Sequence, residues 1–201
     1  MVYSCPTVQI FGLATYLEFT KANGTCLYRP TEPGLDIIHD ITVWTWVRFH
    51  TQSTGQWASL ISKWGIVPNY GYILGKGDND RLAFTISSTG ADNITAVAFT
   101  PADYTYAIDT WYFVAGRFTP STEVALFIGR ATDGWSTWIK NVTAIPASIF
   151  SNVADFMVGT DDGVGNLLDG DMTLFGIAAG SVPDVHIWNM FHQSRPLFMM
   201  E

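Results

Sequence analysis

Four aspartates fall within eleven residues, Asp161, Asp162, Asp169 and Asp171, close to glycines in a stretch rich in turn formers. Calcium takes about six to eight oxygens, and loop carboxylates beside glycine supply them readily. The spacing is not that of an EF-hand, so the group reads either as a calcium site or as a solvated acidic edge. Glycoside hydrolysis needs two carboxylates flanking the bond. The four glutamates, Glu18, Glu32, Glu123 and Glu201, are scattered and form no such pair in sequence. A polysaccharide lyase would call for an Arg/Gln/His/Tyr set on adjacent strands. Arg48 and His50 share a strand face with Arg117 a candidate neighbour, but no Gln-x-His accompanies them. The histidines His39, His50, His186 and His192 lack zinc spacing and have no cysteine pair beside them. The expectation is a protein that is not an enzyme.

Sugar recognition asks for less: a flat aromatic ring to stack on, and polar groups to fix the hydroxyls. Trp64, Tyr70, Tyr104, Tyr106, Trp135 and Trp138 all stand in loop-like surroundings. Trp135 and Trp138 are the first choice, because Asp133, Ser136, Thr137 and Lys140 flank them. Tyr70, Tyr104 and Tyr106 complete the candidate glycan- or partner-binding set. With eight tryptophans in the chain, most must serve the core. An exposed group of these rings would equally suit a protein interface, where Trp and Tyr are enriched.

The elements that must hold such residues are strands. Of the 201 residues, 48% are hydrophobic, 14% aromatic and 14% charged. That excludes intrinsic disorder, which needs few aromatics and much charge. Ten basic against eighteen acidic residues make nucleic acid and anionic membrane unsuitable partners. No apolar run is long enough for a membrane helix, and the start, Met1 to Pro6, does not read as a signal peptide. Cys5 and Cys26 could pair or remain two thiols, and the sequons at Asn23, Asn93 and Asn141 read as chance.

Short runs rich in β-branched and aromatic residues recur, punctuated by Gly, Pro, Asn and Asp. In residues 41–50, Val43, Thr45, Val47 and Phe49 would share one face, and Trp44, Trp46, Arg48 and His50 the other. Both faces are largely apolar, which predicts a central strand covered on both sides. Further strands are expected over 57–63, 71–75, 82–87, 94–99, 111–118, 123–129, 156–159 and 172–177, with 131–149 irregular. Gly77 to Asp80 and Thr119 to Thr122 read as hairpin loops. One helix is predicted, opened by a Ser181-x-x-Asp184 cap and docked through Val185, Trp188 and Phe191, with Arg195-Pro196 ending it. Many strands without intervening helices mean an all-β sandwich or barrel.

The order of these segments resembles the concanavalin A-like lectin/glucanase superfamily, in particular its laminin-G-like and pentraxin-like jelly rolls. Tyr16-Leu-Glu-Phe19 with Leu35-Asp-Ile-Ile38 is similar to that family's first strand and turn. Ile41-Thr-Val-Trp-Thr-Trp46-Val-Arg resembles its strand with a buried tryptophan and a following basic residue. Leu60-Ile-Ser-Lys63, Gly71-Tyr-Ile-Leu-Gly75 and Leu82-Ala-Phe84 follow in the family's order. Trp111 to Ala115 resembles the tryptophan-led strand, with Tyr112 and Phe113 in place of the usual histidines. Val124 to Gly129 lacks the aspartate common before its glycine, and Val158-Gly159 with Leu168 to Met172 resembles the closing strands.

The resemblance covers roughly residues 16 to 195. It implies an all-β, two-sheet antiparallel jelly-roll sandwich with one short C-terminal helix, with residues 1–15 as an N-terminal arm and 16–201 as the domain. It also implies rim loops that bind glycans, calcium or protein partners. The Glu-x-Asp-x-x-Glu strand of the glucanase relatives is absent. Solitary jelly rolls of this type also resemble virion proteins of tailed phages. The expected role is therefore a non-catalytic structural or adhesion module on a virion or particle surface, folded in the host cytoplasm and part of a larger assembly. Its partners would be other virion or surface proteins, or glycans. A free, calcium-dependent, extracellular lectin is the alternative, and an atypical glycosidase or lyase the second.

Overall fold

A computed structural model describes residues 4–11, 14–52, 57–77, 80–91, 96–102, 104–161 and 165–199, the side chains of residues 10 and 11 excepted. Its strands are β1 (Thr7–Phe11), β2 (Ala14–Phe19), β3 (Leu27–Arg29), β4 (Ile41–Phe49), β5 (Ala58–Trp64), β6 (Tyr70–Lys76) and β7 (Leu82–Ile86). Then come β8 (Ala96–Phe99), β9 (Trp111–Thr119), β10 (Glu123–Arg130), β11 (Ser136–Asn141), β12 (Phe156–Val158), β13 (Gly170–Ala179) and the helix α1 (Asp184–Ser194). They form two antiparallel sheets, one of seven strands in the order β1-β2-β13-β4-β9-β10-β11 and one of six in the order β3-β12-β5-β6-β7-β8. The two-sheet sandwich with a short C-terminal helix is thus the architecture.

The period-2 alternation of the strands builds two apolar layers from one sheet. Val43, Val47 and Phe49 of β4 face the six-stranded sheet, meeting Leu60, Tyr72, Leu74, Phe84 and Ile86 in the inter-sheet core. Trp46 points the other way, into a second cluster with Trp111, Phe113, Phe127, Ile187, Phe191 and Phe198. The helix and the turn after it cap that outer face. The two sheets approach closely at Gly116 of β9, where a Cβ would collide with the Phe84 ring.

The structure corrects some local expectations and adds detail to others. Residues 131–149 contain the edge strand β11, registered on β10 with Trp138 opposite Phe127; its half-polar sequence hides the alternation. The stretch 7–11 is the other edge strand, paired antiparallel with β2. The helix has Pro183 at its N-cap with no side-chain cap. Ser181 Oγ instead lies 2.8 Å from Thr119 Oγ1, and Asp184 is taken by Arg117 and Lys140. The docking face is Ile187 and Phe191, while Val185 and Trp188 stay exposed. Cys5 and Cys26 are both free thiols, beside the Ser4–Thr25 bridge. Burial, and then the neighbouring Cys5, pushes the Cys26 thiol up. Residues 78–79, 93 and 94–95, named above for a loop, a sequon and a strand start, lie outside the described residues.

Candidate functional site

On the six-stranded sheet, core and outward positions alternate. Tyr72 and Leu74 of β6 and Phe84 and Ile86 of β7 point inward, which turns Ile73 and Thr85, register partners, to the outer face. At the end of the β5–β6 hairpin a register shift brings Trp64 opposite Tyr70. Their rings stack, with centroids 4.5 Å apart and planes 9° from parallel. The hairpin tip is closed by Gly65 N–H donating to Asn69 O (3.0 Å) and Asn69 N–H to Ile66 O (2.8 Å). The two rings therefore form an aromatic stack beside the hairpin tip.

The opposite wall comes from the chain after β12. Asn166 Nδ2 donates to Asp161 Oδ2 at 2.8 Å, and Ser59 N–H donates to Asn166 O at 2.9 Å, clamping the loop onto β5. Leu168 N–H donates to Gly159 O at 2.8 Å and closes the loop's base. Trp57, Trp64, Tyr70, Ile73, Thr85, Asp161 and Asn166 enclose a cavity of about 170 Å³. Asp161 is 7% exposed. The walls are aromatic and aliphatic, with a carboxylate and an amide at one side.

The remaining candidates fall elsewhere. Trp135 is 40% exposed and stacks at 6.0 Å on Tyr104, giving a second, smaller aromatic patch. Trp138 is half-buried on β11, with its edge against Phe127 and the Arg117 guanidinium 4.8 Å above its ring. Tyr106 is 1% exposed and packs on Phe49 in the core, so burial removes it from any binding surface. Asp171 is 1% exposed and belongs to an ion pair on the seven-stranded sheet. Arg48 Nε donates to Asp171 Oδ2 at 2.7 Å, and His50 Nε2 lies 2.8 Å from the same oxygen. The guanidinium is held between the rings of Tyr16 and Trp111, 5.3 Å from each centroid. Arg117 is not its neighbour. It sits at the far end of the strand pair, opposite Thr42, bonded to Glu123 and Asp184.

Asp169 contributes its backbone oxygen to His50 N–H at 3.0 Å. Asp162 lies outside the described residues. The other three aspartates are not brought together: Asp161 serves the cavity and Asp171 the Arg48 pair. Among the described residues no group of three His, Cys, Asp or Glu side chains could hold a metal ion.

Beside Trp135, Arg130 donates to both carboxylate oxygens of Asp133, at 3.0 and 2.5 Å. With the Trp135 backbone N–H, these bonds hold the Asp133 carboxyl down at about 2. A carboxyl-resolved NMR titration should place its midpoint there, and Arg130→Ala should return it to the ordinary ~3.9. The depressed value means the pairing is complete above the ordinary carboxylate range and lost as pH falls through about 2. Since Asp133 is half-exposed, the effect on stability should be small.

Sequence reasoning placed Tyr70 and Asp161 on separate candidate sites and passed over Trp57, Thr85 and Asn166. One signal was available. Gly65 and Pro68-Asn69 mark a tight tip whose flanking aromatics, Trp64 and Tyr70, must be cross-strand neighbours.

No family model matches the sequence, and no curated protein matches it. Solved structures match its fold. The binding domain of Paraclostridial Mosquitocidal Protein 1 superposes with a TM-score of 0.70 at 10% identity, over 96% of this chain and 47% of that one. The enzymatically active domain of tailspike protein 2 of bacteriophage CBA120 gives 0.66 at 12% identity, over 96% of this chain and 31% of that one. Domain 4 of AbnA, an extracellular arabinanase from Geobacillus stearothermophilus, solved with arabinotriose, gives 0.62 at 12% identity, over 93% of this chain and 81% of that one. The chain thus spans about half the length of the toxin binding domain it matches. The shared feature is the β-sandwich; fold alone does not carry function.

Proposed function

We propose that this chain is a non-catalytic glycan-binding module of the adhesion type, and that the Trp57/Trp64/Tyr70 cavity is its site. The observation that carries the reading is the Trp64–Tyr70 stack lining, with Asp161 and Asn166, a cavity of about 170 Å³. That is smaller than the roughly 300–1,000 Å³ of pockets for drug-sized ligands, and suits a single sugar ring. The likeness of fold to a domain solved with arabinotriose supports the glycan-binding part of the reading. A virion or particle surface is the setting in which such a module attaches a larger assembly to a glycan coat, with neighbouring subunits as its other partners; a free extracellular lectin would use the same cavity.

The test is a glycan array probed with the wild-type chain, Trp64→Ala and Trp135→Ala. Binding should appear with wild type and fall at least about tenfold (~1.4 kcal/mol) with Trp64→Ala. Trp135→Ala should leave it unchanged. Binding that survives Trp64→Ala and disappears with Trp135→Ala would move the site to the Tyr104 patch. No binding by the wild-type chain would end the glycan reading, and release of reducing ends from a bound polysaccharide would end the non-catalytic one.

A further inference from the structure

On one side of the sandwich the seven-stranded sheet ends in β1 and the six-stranded sheet in β3. The segments leading into these two strands touch. Ser4 and Thr25 form a parallel bridge, and Cys26 N–H donates to Ser4 O at 3.1 Å. Ser4 Oγ also donates to Asn23 O at 2.5 Å. In a parallel pair the residues one step beyond a bridge again lie side by side, with their side chains on a common face. Here those residues are Cys5 and Cys26. Paired strands run about 4.8 Å apart, inside the roughly 4.4–6.8 Å between Cα atoms that a disulfide spans. Both side chains are free thiols, Cys5 exposed and Cys26 buried. Burial, and then the nearness of Cys5, pushes the Cys26 thiol up.

We infer that Cys5 and Cys26 are a thiol pair placed to close into a disulfide in the folded chain, reacting with small-molecule disulfides of the glutathione type. The bond staples the outermost strands of the two sheets to each other. Only a thiolate attacks a disulfide, and exposure sets the order of events. Cys5 gives up its proton and attacks one sulfur of the oxidant, whose S–S bond breaks to leave a mixed disulfide on Cys5 and one free thiol. Cys26, deprotonated in turn, attacks the Cys5 sulfur and expels the second thiol. The two protein thiols are oxidised, the oxidant is reduced to two thiols, and the two protons leave on them. Burial keeps Cys26 from meeting the oxidant first. The ring closed by the bond contains β1 and β2 and spans residues 5–26. Closing a loop of that length restricts the unfolded chain enough to shift the folding equilibrium on the order of 100-fold. It also anchors β1, an edge strand paired on one side only.

The experiment incubates the folded wild-type chain with glutathione disulfide in the absence of denaturant, and reads free thiols, intact mass and a peptide map. The expected product is a single chain that has lost both thiols and two hydrogens, with Cys5 and Cys26 joined in one crosslinked peptide pair. Its urea midpoint should rise, and dithiothreitol should return it to the starting value. Cys26→Ser should stop with glutathione on Cys5. Cys5→Ser, a change at an exposed position, should leave Cys26 unmodified and the midpoint indifferent to the oxidant. Glutathione retained on Cys5 beside a free Cys26 in wild type would overturn the inference. So would retention of both thiols, a link between two chains through Cys5, or a crosslink formed only in denaturant. A crosslink that leaves the midpoint where it was would overturn the staple. These readings use the wild-type chain, so the inference stays testable if Cys26→Ser fails to fold.

Discussion

Trp46→Ala is expected to destabilise the chain by about 3–5 kcal/mol, the range for removing a large buried aromatic. Trp46 is fully buried, and its indole lies 4.4 Å from the Phe198 ring, 5.6 Å from Phe113 and 5.7 Å from Phe191. Its Nε1–H donates to Ser194 Oγ at 2.8 Å. One side chain therefore ties the central strand β4 to the helix and to the turn behind it. Truncation opens a cavity that these three aromatic neighbours cannot fill by small shifts, and leaves the outer layer without its centre. Chemical denaturation should show a lower midpoint. Trp188→Ala serves as the control, because Trp188 is 46% exposed and its loss should stay within about 0.5 kcal/mol. A loss below about 1 kcal/mol for Trp46→Ala would mean that the helix is not docked on this face.

The second large effect is expected at Arg48. Asp171 is almost fully buried, and Arg48 approaches its Oδ2 through Nε at 2.7 Å and Nη2 at 2.6 Å. Its other oxygen has no hydrogen-bond partner among the described residues. Arg48→Met fills the same space but leaves this carboxylate beside His50 alone, which should cost about 3–5 kcal/mol. The double variant Arg48→Met, Asp171→Leu should recover most of that loss, since it removes the stranded charge together with its partner. Equal destabilisation in the single and double variants would show that packing between the Tyr16 and Trp111 rings, rather than charge, is what Arg48 supplies. The pair joins β4 to β13, residues far apart in the chain, and acts as a cross-brace of the seven-stranded sheet.

Much of the fold is legible locally. The 41–50 alternation, apolar on both faces, is that of the central strand β4, with Val47 and Trp46 in opposite apolar layers. The loop at residues 119–122 is where a turn was read, with Thr122 N–H donating to Thr119 O at 3.1 Å. The edges were harder. β11 carries Ser136, Thr137, Lys140 and Asn141 in six residues, and an edge strand half in water shows no clean apolar period. The helix start was misread because Ser181 and Asp184, a capping pair by spacing, are each drawn off by a distant partner: Thr119 for one, Arg117 and Lys140 for the other.

The candidate site was legible only in fragments. Tyr70 and Asp161 could be named from their types, yet nothing local joins them. Trp135 and Trp138, three residues apart and flanked by polar groups, are the better pair by sequence. Trp138 lies on β11, under Arg117, while Trp135, just before the strand, turns to the Tyr104 patch.

By itself the sequence determined the all-β class, the central strand and the net negative charge. Those follow from alternation and composition, which are properties of neighbouring residues. Only the tertiary structure decided which aromatics are buried, that Asp171 serves a brace and Asp161 a cavity, and that Asp161 lines that cavity with a stack built nearly one hundred residues earlier. Such contacts depend on which strands pair and in what register. That choice is made by the burial of whole sheet faces, not by the few residues that meet at the site.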